Sequence, residues 1–308
     1  MSIEHLPAHG IVWLEHAQQR LGLLPGLGGG VAAWQWMRPP GAFDLWRPWN
    51  GERPDRYSFA SFALVPWSNR ISGGGFEHAG RFHAIAPNRP GEPYPIHGDG
   101  WLQPWECEQT APGTVVMRLR SDRFDGNPYV YEAEQRFTLL DGGMDQELSV
   151  THRGEASLPY GLGQHPYFPR GEDTRLQAPV RGVWLSGDDP LPTEHTTRFP
   201  PGWDLRDASA HGPMIDNCYT GWSGRARIVW PQAGLQLDMQ VPDVDDGYCL
   251  LYRPPVGEAI AFEPITHPID AFHLPGRPGL RVLQPGQSMR LQVRWRFSVA
   301  QQTAATRV

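Results

Sequence analysis

Apolar and polar positions alternate along much of this chain. Leu235, Leu237, Met239 and Val241 are separated by Gln236, Asp238 and Gln240, and Met289, Leu291, Val293, Trp295 and Phe297 by Arg290, Gln292, Arg294 and Arg296. Ala226, Ile228 and Trp230 follow the same rule, and Met144 to Thr151 follows it less cleanly. A repeat of two turns one face of an extended segment to a core and the other to water. Turn clusters such as Asp141-Gly142-Gly143, Pro254-Pro255 and Gly276-Arg277-Pro278-Gly279 end the runs. No segment sustains a helical period, and Trp13 to Leu21 is the best short candidate for a helix. Strands that succeed one another without crossover helices predict an all-β fold, a large antiparallel β-sandwich. No repeat, linker or low-complexity tract divides the 308 residues, so one domain over 1–308 is expected, with Gln301 to Val308 a frayed tail.

Composition then removes several kinds of function. The chain has no lysine, and all 27 basic residues are arginine, which rules out Schiff-base and P-loop chemistry that needs a lysine of this chain. A net charge of −6 without a basic run argues against nucleic acid as a partner. Cys107, Cys218 and Cys249 are scattered and odd in number, so neither a disulfide framework nor a zinc site is expected and a reducing, cytoplasmic setting is. The apolar stretch Leu21 to Trp36 is broken by Pro25 and five glycines and reads as neither signal peptide nor membrane span. Asp243, Asp245 and Asp246 lack calcium-loop spacing and read as a solvated turn.

What remains is a set of proton carriers and hydrogen-bond donors. His165 lies in Gly-Leu-Gly-Gln-His-Pro-Tyr-Phe, and Glu263 in Ala-Phe-Glu-Pro at the end of an apolar run that reads as a buried strand. Buried glutamates are rare unless paired or functional, and imidazole titrates near neutrality. Arg70 precedes the glycines 73–75, which allow tight turning and close approach of backbone to a ligand; in isolation it reads as the partner of a surface carboxylate. His97 and Asp216 stand in turn-like sequence, and His267, Asp270 and His273 near Glu263 are given supporting roles at most. No metal or cofactor site is read.

The order of these motifs carries more than any one of them. Asn-Arg-Ile before glycines, then His-Gly, His-Pro-Tyr-Phe, Asp-Asn-x-Tyr, Phe-Glu-Pro and the closing Val282-Leu283-Gln284-Pro285-Gly286-Gln287 resemble the aldose 1-epimerase (galactose mutarotase) family from about Gly28 to Phe297. The resemblance implies that family's β-sandwich, no cofactor, and a small-molecule sugar as partner. It implies that Glu263, as a carboxylate, is the general base, that protonated His165 is the general acid, and that Arg70, His97 and Asp216 bind substrate. Pro264-Ile265 after Glu263 departs from the Thr-Gln pair common in mutarotases, a difference that bears on the preferred sugar. The rival readings are a hexose-6-phosphate epimerase using Arg53, Arg56 or Arg89, a catalytically silent carbohydrate-binding domain, and a glycoside hydrolase using Asp216 and Glu263.

Overall fold

The alternating runs become the middle of a nine-stranded sheet. In the computed structural model, which describes residues 10–51 and 55–299, Arg225–Trp230, Leu235–Gln240, Ser288–Val299, Gly143–His152 and Val130–Leu140 lie side by side. Ala208–Ser209 and Arg175–Gln177 extend one flank, Thr114–Asp122 and Glu106–Ala111 the other. The apolar members of each run are the buried ones: Leu235, Leu237 and Met239 in one strand, Met289 to Phe297 in another. Gln146 interrupts the apolar face of its strand, and its side-chain oxygen accepts from the Trp295 indole at 3.1 Å. The predicted tail, and Arg53, lie outside the described residues.

A second large sheet carries the site. Its order runs Pro192–Thr196, Gly182–Ser186, Ile215–Trp222, Gly247–Arg253, Ala259–Ile265, Gly163–Gln164 and Ala63–Leu64, with Tyr167–Pro169 also paired to Ala259–Ile265. Pairing between the strands is antiparallel throughout the described residues, and one isolated parallel bridge joins Val65 to Gly98. Ala259–Ile265 is buried at all seven positions, being covered on both faces, so it has no alternation to show. A contiguous apolar core joins the inner faces of these sheets with a four-stranded one, Val12–His16, Gln19–Leu24, Gly30–Arg38 and Gly41–Trp46. At its centre Trp34, Trp46 and Trp295 meet edge to face, with centroids 5.2, 5.3 and 6.2 Å apart. Such pairs add about 0.5–1.5 kcal/mol each beyond their buried area.

The helix expected over Trp13 to Leu21 is a hairpin. Val12–His16 pairs with Gln19–Leu24 through Ala17 and Gln18, which have φ of 49° and 57°. Two positive φ values in a two-residue loop match the strand twist, and a turn of Ala-Gln lacks the Asn-Gly wording that would announce it. Leu14, Leu21 and Leu23 bury themselves at strand spacing. The apolar stretch from Leu21 to Trp36 supplies the second and third strands of this sheet, and among the described residues no helix is long and apolar enough to cross a membrane.

Candidate active site

The fold brings all five sequence-selected residues to one cleft. Its volume is about 390 Å³, within the range of small-ligand sites, and Arg70, His97, His165, Asp216 and Glu263 line it. Glu263 projects from the buried strand Ala259–Ile265. His165 follows the short strand Gly163–Gln164, and its backbone N–H donates to the Phe62 carbonyl at 3.0 Å. Its ring lies between Phe62 and Tyr167, with centroids 4.6 and 4.7 Å away and interplanar angles of 22° and 29°. Stacking, in place of a hydrogen bond to Nδ1, therefore sets the imidazole plane.

His165 Nε2 comes within 3.2 Å of Glu263 Oε1, without hydrogen-bond alignment. Both carboxyl oxygens and His165 Nδ1 are buried with no hydrogen-bond partner among the described residues. Burial pushes the Glu263 carboxyl well above the carboxylate range, the charge of Asp216 adding to this and Arg70 opposing it. Burial also pushes His165 down to about 3, assisted by the nearby charges of Arg47 and Arg89. Burial thus favours the uncharged form of both groups. The expected pair, a carboxylate beside an imidazolium, holds the same single proton in a different place.

His97 is a donor by construction. Its Nδ1 accepts the Asn69 backbone N–H at 3.1 Å, while the His97 N–H donates to the Asn69 carbonyl at 3.0 Å. Burial, with the charges of Arg70 and Arg89 adding to it, holds the ring neutral, so its one proton sits on Nε2. Asn69 and His97 have φ of 56° and 61°, a left-handed setting that costs roughly 1–2 kcal/mol for a non-glycine residue. Next to them Gly98 has φ of 69°, and a Cβ there would lie 2.0 Å from the Val65 carbonyl oxygen. Gly98→Ala is therefore expected to lower stability by more than the roughly 1 kcal/mol of an ordinary glycine change, and to raise KM by displacing His97. Denaturant unfolding and steady-state kinetics check this; a variant matching wild type in both would show that the loop does not position His97.

Arg70 and Asp216 face each other, Nη1 to Oδ2, at 3.6 Å. The fork of Arg70 is held by a residue missed in the sequence: Nε and Nη2 donate to the two oxygens of Glu92 at 3.1 and 3.0 Å. The carboxylate expected for Arg70 is thus neither exposed nor an alternative to a place in the cleft, since the Glu92 side chain is 8% exposed. Burial raises the Asp216 carboxyl, Glu92 adding to this and Arg70 opposing it.

The supporting residues brace the loops. His267 Nε2 accepts the Ser68 N–H at 3.0 Å and its Nδ1 donates to the Pro268 carbonyl at 2.8 Å. Asp270 accepts the Ser72 N–H and hydroxyl at 2.9 and 2.8 Å and meets His273 Nδ1 at 2.8 Å. The glycines 73–75 serve a turn and stand outside the lining of the cleft: a Cβ on Gly75 would lie 2.0 Å from the His83 carbonyl oxygen. Asp243, Asp245 and Asp246 are exposed, as a solvated turn should be. Arg56 lies outside the cleft lining, where its Nε donates to the Trp101 carbonyl at 3.2 Å; Arg89 lines the cleft, as do Arg47, Tyr57, Tyr167 and Tyr252.

A sequence family described as aldose 1-epimerase matches residues 11–296. The uncharacterized protein YphB of Escherichia coli (strain K12) is 35% identical over 247 residues, 76% of this chain and 83% of that one. A crystal structure from Escherichia coli K12, of a protein provisionally assigned as an aldose 1-epimerase, superposes with a TM-score of 0.86 at 29% identity, covering 94% of this chain and 99% of the other. A galactose mutarotase-like protein from Clostridium acetobutylicum shares the fold alone, with a TM-score of 0.83 at 14% identity over 96% and 97% of the two chains.

Proposed function

Because the chain belongs to the aldose 1-epimerase family, we propose that it interconverts the α and β anomers of a free aldose through proton transfers by Glu263 and His165. The observation that carries this reading is the buried carboxyl whose two oxygens have no hydrogen-bond partner among the described residues, 3.2 Å from an imidazole, in a cleft lined by hydroxyl-binding groups. A silent binding protein has no use for such a pair, since an unpaired buried carboxyl costs stability. A glycoside hydrolase would use Asp216 as its second carboxyl, and Asp216 faces Arg70.

A bound sugar shifts this balance. Its hydroxyls donate to the Glu263 oxygens, which favours the carboxylate, and the single proton of the pair moves to His165 Nε2. Glu263 then takes the proton of the anomeric hydroxyl while His165 gives its proton to the ring oxygen. The bond from the anomeric carbon to the ring oxygen breaks as the carbonyl forms. Rotation about the adjacent C–C bond presents the other carbonyl face, and the ring oxygen adds to it with both transfers reversed. The pair ends with one proton, as it began. The His97 Nε2–H, Arg70 and Asp216 hold the ring hydroxyls so that the anomeric centre faces the pair, an orientation that itself lowers the barrier.

The test is the equilibration of freshly dissolved α-glucose and α-galactose, followed by polarimetry or proton NMR against the uncatalysed rate. Acceleration supports the reading; none with any free or charged aldose would end it. The pH profile of kcat/KM has an expected shape. The active pair holds one proton, which it gains below the raised value of Glu263 and doubles only below the lowered value of His165, about 3. Activity should thus be flat across the interval between the ordinary values, roughly 4.3 and 6.5, and beyond both ends. A peak confined to that interval would mean that burial does not tune the pair.

A further inference from the structure

Two donors in the cleft take no part in the proton transfers. Tyr57 stands beside both imidazoles, its ring centroid 5.9 Å from that of His165 and 6.0 Å from that of His97. Its hydroxyl is buried and has no hydrogen-bond partner among the described residues. The Arg89 guanidinium carbon lies 3.7 Å from the centre of the Tyr57 ring, over its face. The Arg89 carbonyl accepts the Glu92 N–H at 3.2 Å, but no salt bridge or hydrogen bond ties its guanidinium to another described residue. A guanidinium stacked on an aromatic ring keeps its in-plane N–H groups free to donate sideways.

The other two arginines of the cleft are already held by hydrogen bonds. Arg70 has Glu92 and Asp216. Arg47 donates to the carbonyls of Tyr57 and Phe59 at 2.8 and 2.7 Å and feels the charge of Glu258. Among the described arginines lining the cleft, Arg89 is the one whose guanidinium has neither a hydrogen bond nor an ion pair, and it lies over the ring that carries the unpartnered hydroxyl. Neutral sugar hydroxyls would satisfy Tyr57 but not the full charge of Arg89.

We propose that Tyr57 and Arg89 form a subsite for a carboxylate borne by the substrate, so that the preferred sugar is a cyclic aldose with one singly charged acidic substituent, a uronic acid. The inference rests on the anomer interconversion proposed above and names its substrate class. The Tyr57 hydroxyl donates to one carboxylate oxygen and Arg89 to the other. A single charge fits the surroundings: Glu92, Asp216 and Glu258 lie at or near the same cleft and oppose a doubly charged phosphate. The carboxylate also offsets the positive charge that Arg89 presses on His165, which favours the imidazolium needed to protonate the ring oxygen.

The experiment compares kcat/KM for glucuronate with glucose, galacturonate with galactose, and glucose 6-phosphate with both, by NMR exchange between anomers. A ratio of uronate to parent hexose of about tenfold or more is expected for the better pair, the scale of a charge-assisted hydrogen bond. Arg89→Gln should bring that ratio close to one, Arg89→Lys should retain part of it, and added salt should reduce it in wild type. Tyr57→Phe gives a second reading should Arg89→Gln not fold, and it too should lower the ratio. Acceleration of neutral hexoses with no preference for uronates would overturn the subsite alone, as would a ratio untouched by Arg89→Gln. A stronger preference for the phosphate would overturn the carboxylate assignment. No acceleration with any of these sugars would overturn both the subsite and the anomerase reading.

Discussion

Glu263→Gln is expected to lower kcat/KM for the favoured aldose by about 10²–10⁴-fold, the contribution of one positioned proton transfer, while leaving the unfolding temperature at neutral pH unchanged or raised. Glutamine keeps the shape of the side chain and its hydrogen-bonding oxygen but can neither accept nor return the anomeric proton. The stability half of the expectation follows from burial. The folded protein holds the Glu263 proton to a higher pH than the unfolded chain does. From the unfolded value of about 4.3 upward, the unfolded chain releases a proton that the folded one retains, so this residue's contribution to stability falls as pH rises through its folded value. The glutamine variant lacks that slope. Mutarotation kinetics beside thermal unfolding at several pH values separates the two effects. Retained turnover would remove Glu263 as the base, and a marked loss of stability would mean that the carboxyl has a structural partner after all.

Arg253→Met should cost about 3 kcal/mol, counting roughly 1 kcal/mol for each hydrogen bond lost. Arg253 is 1% exposed, and its Nε, Nη1 and Nη2 each donate at 3.0 Å, to the carbonyls of Pro213, Ser209 and Gly202. The guanidinium thereby pulls the loop between Gly202 and Pro213 onto the strand Gly247–Arg253, just ahead of Asp216. Methionine fills similar space and relieves a desolvated cation, which works in its favour. It nevertheless leaves three inward-turned carbonyls without donors. Arg253→Lys should fall between the two, since an ammonium lacks the planar fork that reaches all three. Urea unfolding measures the loss, and a change below about 1 kcal/mol would show that water replaces the guanidinium.

The strands were legible where one face meets water, because burial on a single face writes a period of two into the sequence. Ala259–Ile265 was legible only as an apolar run, and the hairpin at Ala17-Gln18 was hidden by residues with no turn preference. His165, Glu263, Arg70, His97 and Asp216 were legible together, through the order of their motifs, and the cleft assembles all five. Glu92 and the pairing of Tyr57 with Arg89 were not. They reach the cleft from irregular segments, Glu92 and Arg89 on a proline-rich loop with no periodicity, and only the closed sheet shows which charges meet. The placing of the proton was not legible either, because the sequence does not show how dry the cleft floor is.

The strand Ser288–Val299 pairs with Leu235–Gln240 on one side and Gly143–His152 on the other. It thus sits in the middle of the nine-stranded sheet although it comes after every other strand of that sheet along the chain. During synthesis, the halves that flank it can each form hairpins but share no edge until this segment leaves the ribosome. The nascent chain therefore waits with two exposed strand edges, the state in which β proteins are most open to misassembly. Closing them is a pairing across long sequence separation, the slow kind of folding event. For this protein the slow step and the completion of the sheet are the same event, and it arrives last.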